Sequence, residues 1–184
     1  MLRGKLAFLL VGLLILISGC SKKDSNPVNP SDNPSEVLLN SGSITLNGGG
    51  FSNKTYNLSS GVAAYIAKYQ ATDCVMYGSS SSDSLMATVM FKSNSTGEFS
   101  WLGIQDVSSS DYYVDGAYLL LITGSGYVSF SPVSGSTKVT AFNGVGSTIE
   151  GTFSGSIKND ITGETVTVNG SFKCLRVPDD LSSN

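Results

Sequence analysis

Residues 149–157 read Ile149-Glu150-Gly151-Thr152-Phe153-Ser154-Gly155-Ser156-Ile157, and the fold class turns on them. Successive side chains of a strand point to opposite faces. Ile149, Phe153 and Ile157 therefore share one face, with Gly151 and Gly155 between them, while Glu150, Thr152, Ser154 and Ser156 share the other. A turn-rich segment, Lys158 to Gly163, leads into Val166, Val168, Phe172 and Cys174 in matching register. This pattern predicts a β-hairpin with one buried and one wet side. Glycine weakens a strand interior. Gly151 and Gly155 thus imply either an aromatic from an opposing sheet laid over them or a sharp bend.

The same period extends upstream. Leu85, Ala87, Val89 and Phe91 alternate with Met86, Thr88 and Met90, which suits a strand covered on both faces. Ala117 to Ile122 is an unbroken apolar run closed off by Gly116 and by Thr123-Gly124, the mark of a central strand. Shorter strands are expected at Ile44–Leu46, Lys54–Leu58, Asp73–Tyr77, Tyr127–Phe130 and Val139–Phe142. Val62 to Tyr69 fits a helical face as well as a strand, and its neighbours favour strand. Many short strands joined by Gly, Ser and Asn turns predict an all-β domain, an antiparallel β-sandwich or a flattened barrel.

The N-terminal region has a different character. Arg3 and Lys5 precede an apolar run, Leu6 to Ile17, of about twelve residues, where a permanent membrane helix needs ~20. The run ends in Ile17-Ser18-Gly19-Cys20. That tetrapeptide resembles the bacterial lipobox, whose cysteine receives a diacylglyceryl group and becomes the mature N-terminus. Residues 1–19 are then a lipoprotein signal peptide and Cys20 the lipidated residue. Ser21 follows the cysteine where an inner-membrane retention signal would have Asp. The expected location is therefore the outer membrane, on its periplasmic or surface face. Residues 20–35, with Pro27, Pro30 and Pro34 among Ser, Asn and Asp, read as a flexible tether. The globular domain is expected over 36–177, and 178–184 as a disordered tail.

Composition narrows the chemistry. The 184 residues include no His, which removes Ser-His-Asp and Cys-His nucleophiles and the HExxH zinc site. A net charge of -3, and -5 once Arg3 and Lys5 are removed, argues against nucleic acid as a partner. Of three cysteines the lipobox takes Cys20. That leaves Cys74 and Cys174 to pair as a disulfide in an oxidising compartment. With only those two in the domain, no metal site and no cofactor is expected.

Trp101, Asp106, Asp111, Tyr112, Tyr113 and Asp115 crowd together, with Tyr118 close behind, and form the candidate ligand loop. Aromatic faces stack on sugar rings and carboxylates accept from their hydroxyls, so a glycan is the ligand this group suits. The acidic spacing does not match a calcium loop. Neither Ser-x-x-Lys nor G-x-S-x-G occurs, so no enzyme is expected. A carboxylate-based glycoside hydrolase is the remote alternative.

The C-terminal third carries a resemblance. Gly126-Tyr127-Val128-Ser129-Phe130, Ile149-Glu150-Gly151-Thr152-Phe153-Ser154-Gly155 and Val166-Thr167-Val168-Asn169-Gly170-Ser171-Phe172 are similar to the final strands of a group of secreted Bacteroidetes lipoproteins. The resemblance covers about fifty residues well. It implies an outer-membrane or surface β-sandwich and supplies no catalytic residues. The expected role is a membrane-anchored, non-catalytic binding or interaction module for a glycan or a partner protein. A structural or adhesive surface module that works through sheet edges is the alternative.

Overall fold

A computed structural model of the protein describes residues 42–108 and 111–181, so the leader, Cys20 and the tether lie outside the described residues. Ten strands follow one another: β1 Gly42–Gly48, β2 Phe51–Ile66, β3 Ala71–Ser79, β4 Ser84–Phe91, β5 Gly97–Ser100, β6 Gly103–Ser108, β7 Asp111–Thr123, β8 Gly126–Phe142, β9 Thr148–Asn159 and β10 Thr165–Arg176. Eight of them close in the order β8-β9-β10-β1-β2-β3-β4-β7, with β7 returning to β8. Of the two architectures the sequence leaves open, the closed antiparallel barrel is the one formed. Eight strands leave an interior just wide enough to be filled by side chains. Here Ile44, Leu46, Tyr56, Met76, Leu119, Ile149 and Ile157 fill it, all fully buried.

The decisive hairpin is β9 against β10, paired from Thr165↔Lys158 to Leu175↔Thr148. Its inward face holds Ile149, Gly151, Phe153, Gly155 and Ile157 as the alternation predicts. The glycines are seats for rings. Phe172 directly opposes Gly151 and Phe153 directly opposes Gly170, and a Cβ on either glycine would collide with the opposing ring. The covering aromatics therefore come from the adjacent strand, across a reciprocal pair. Gly155 is covered differently, by the indole of Trp101.

Two elements differ from expectation for identifiable reasons. Tyr127–Phe130 and Val139–Phe142 are two ends of one strand, β8. It bends through a bulge between Pro132 and Ser134 and exchanges its partner β7 for β5. Val62 to Ile66 is strand, but Ala67–Tyr69 is a 3-10 turn closed by Gln70 at φ 52. The C-terminal tail also departs from the expected disorder over its described part. Val177 N–H donates to Ala63 and Asp180 N–H to Tyr65, and Ala67 N–H donates back to Asp180, so residues 177–180 lie alongside β2. Arg176 holds the turn into this segment through both oxygens of Asp179 at 2.9 and 3.1 Å, with its guanidinium 4.7 Å from the Phe142 ring centre. Residues 182–184 lie outside the described residues.

Candidate functional site

The barrel has a seam, and the expected ligand loop is built around it. β7 and β8 pair only over Leu119–Thr123 and Gly126–Phe130, after which β7 continues with β6 and β8 with β5. Trp101 fills the opening. Its backbone N–H donates to Gly135 and its Nε1–H to the Thr137 hydroxyl, both at 2.9 Å. Gly116, at φ +123, leaves room for the indole, since a Cβ there would stand 2.9 Å from its Cγ. Trp101 is thus a core residue, not a platform for a sugar.

Its supposed partners are divided in the same way. Asp115 is buried, and its Oδ1 accepts the Leu102 N–H at 3.2 Å. Burial raises its pKa, against which that bond and the charge of Lys92 work. Tyr113 stacks on Tyr69 at 5.1 Å over a small outer cluster with Ala71 and Met90. Asp106 and Tyr112 oppose one another, both exposed, on the other face of the β6–β7 hairpin. Asp111 begins β7, and its side chain lies outside the described residues. The five whose side chains are described do not converge on one ligand. The segment is rich in aromatics and acids because it plugs a seam and folds a hairpin back over the barrel.

What the outer surface offers instead is two unlike walls. On β8, β9, β10, β1 and the first half of β2, small polar side chains stand in cross-strand rows. One row is Ser136, Ser154, Asn169, Thr45 and Thr55, and the next is Lys138, Thr152, Ser171, Ser43 and Asn57. An open groove of about 490 Å³ lies here, lined by Glu98, Ser136, Lys138, Thr152, Ser154 and Asn169 over a floor at Phe153 and Gly170. Ser136 donates to Glu98 Oε1 at 3.1 Å. Lys138 has no ion-pair partner among the described residues. The groove therefore presents one ammonium, one carboxylate, one amide and three hydroxyls on a rigid sheet. Donors and acceptors in such a mixture match the alternating hydroxyls of a carbohydrate.

The opposite wall, on β3, β4, β7 and the start of β8, is apolar. Tyr77 opposes Met86, which opposes Leu120, and Ile122 beside it opposes Tyr127. Tyr77, Ile122 and Tyr127 are 52%, 48% and 62% exposed. At the lower end of this wall the Oδ1 of Asp73 is buried without a hydrogen-bond partner among the described residues, and desolvation raises its pKa to about 7.

The two domain cysteines do come together, but as free thiols where the sequence predicts a disulfide. They stand on β3 and β10, which do not pair with each other, because the end of β2 runs between them. The sulfurs meet over Gly61, where a Cβ would stand 2.8 Å from Cys174 Sγ. Their shared hydrogen bond, and then burial, push the Cys74 thiol well above the ordinary range. Among the described residues no group of His, Cys, Asp and Glu could hold a metal ion.

Glu98, Lys138 and Asn169 do not stand out in the sequence, because nothing local says that β5, β8, β9 and β10 lie side by side. The outward parity of Thr152 and Ser154 is the one signal that could have led to them. Comparison with protein-family models, with curated proteins and with solved structures gives no match to this chain.

Proposed function

We propose that this protein is an envelope lipoprotein, anchored by acyl chains on Cys20 at the outer membrane, whose barrel is a non-catalytic binding module. The observation that carries the binding half is the groove on the polar wall, and a neutral or weakly acidic glycan is the ligand class its groups complement. Asn169 and the hydroxyls of Ser136, Thr152 and Ser154 supply paired donors and acceptors. Lys138 supplies a positive charge, set directly across the strand pair from the Glu98 carboxylate. A glycoside hydrolase needs two carboxylates across a cleft, ~5–9.5 Å apart. The groove holds one, Glu98, and Ser136 already occupies an oxygen of it.

The test is a glycan array probed with the parent and with Lys138→Ala and Asn169→Ala. Binding to a defined set of glycans that both substitutions reduce supports the reading. No binding, or binding indifferent to both, overturns it. Acylation is tested by the mass of the native N-terminal peptide and its loss on Cys20→Ser.

A further inference from the structure

We infer that the apolar wall is a membrane-resting surface, on which Tyr77, Met86, Leu120, Ile122 and Tyr127 lie against the head-group region of a lipid bilayer. This takes its setting from the acyl-anchored reading above and adds an orientation to it: apolar wall toward lipid, polar groove away from it.

Shape is the first argument. The outside of a closed barrel is convex, so a second copy of this wall would meet it along a narrow strip. Specific protein interfaces need about 800 Å² per partner. Lipid is fluid and wraps a convex surface without that loss. Chemistry is the second. Tyrosine combines an apolar ring with a wet hydroxyl and is enriched where membrane meets water. The patch is bordered by hydroxyls, Ser60 opposite Tyr77 and Ser84 opposite Ile122. Among the described residues no Lys or Arg lies within it, so zwitterionic rather than anionic head groups are the match.

The third argument is where the chain arrives. Gly42, the first residue of β1, shares a cross-strand row with Leu58 and Gly78, the neighbour of Tyr77. β1 belongs to the polar wall, one strand spacing from β10, and two spacings, ~10 Å, separate the point of entry from the patch on its other side. The 22 residues from Cys20 to Gly42 span at most about 80 Å, so an anchored barrel stays close to the bilayer at high effective concentration.

The experiment uses the chain from residue 20 onward with Cys20→Ser, free of acyl chains, in flotation with phosphatidylcholine and phosphatidylethanolamine vesicles. The parent is expected to float. Tyr77→Ser/Ile122→Ser/Tyr127→Ser is expected to lose roughly tenfold or more of that partitioning while keeping the parent's thermal transition. A tryptophan placed by Tyr127→Trp should be quenched by brominated lipid, and one placed by Thr152→Trp on the polar wall should not. The inference is overturned if the parent stays out of the lipid fraction, if both tryptophans are quenched alike, or if the triple variant abolishes a dimer or glycan binding but not flotation. Because no acyl chain is present, a negative result here is distinct from absence of acylation on native Cys20.

Discussion

Asp73→Asn should make the protein more stable at pH 8 and leave it nearly unchanged at pH 4. In the native barrel the Asp73 carboxyl has a pKa of about 7, raised from 3.8 by burial alone. Each pKa unit between folded and unfolded states is worth ~1.4 kcal/mol. Below pH 3.8 both states hold the proton, and Asp73 contributes nothing adverse. Between pH 3.8 and about 7 the native state keeps a proton that the unfolded chain has released, so stability falls as pH rises. Above about pH 7 the loss is complete and constant. The full shift corresponds to a ceiling of about 4 kcal/mol. The residue is only half-buried although its Oδ1 is enclosed. Water at its open side reduces this, and about 2–4 kcal/mol is expected. Asparagine keeps the shape and cannot ionise. The assay is urea unfolding of parent and variant between pH 4 and pH 9, read by Trp101 fluorescence. Taking the difference removes every other titrating group common to both. Parallel curves, or a variant less stable at pH 8, would refute the burial argument.

Trp101→Phe should cost about 2–3 kcal/mol in urea unfolding followed by far-ultraviolet circular dichroism, since it deletes the bond to Thr137 and leaves the seam part empty. Gly61→Ala should destabilise by about 1–3 kcal/mol through its clash with Cys174 Sγ, and adding Cys174→Ala should recover part of the loss in a double-mutant cycle. Cys74 and Cys174 are both fully buried, so iodoacetamide should label neither in the native protein and both in urea, by intact mass. Gly170→Ala should lower the melting temperature more than Gly124→Ala, because the first collides with Phe153 and the second meets open space.

Much of the barrel is legible in the chain because period two is a local property. Ile149–Ile157, Leu85–Phe91 and Ala117–Ile122 each reveal strand and buried face without reference to any partner. Closure is not local. That β7 pairs with β8 at one end and leaves it at the other depends on Pro132 and Gly116 acting together, across residues that no window joins. The site suffered most from this. Trp101, Tyr113 and Asp115 look like ligand groups while their neighbours are unknown, and once the seam is seen they are its filling. Conversely Tyr77 and Tyr127, fifty residues apart in sequence, become one surface only after β3, β4, β7 and β8 are laid side by side.

The pairing of β1 with β10 joins the first described strand to the last. A chain that emerges from its N-terminus, whether from a ribosome or through a translocation channel, cannot finish this fold until the twelve residues of β10 are out. Until then Ile44, Leu46 and Leu58 face solvent on an open edge ready to stick to whatever passes. Such a protein invites a chaperone during biogenesis, and a truncation near residue 165 should be far more damaging than its shortness suggests.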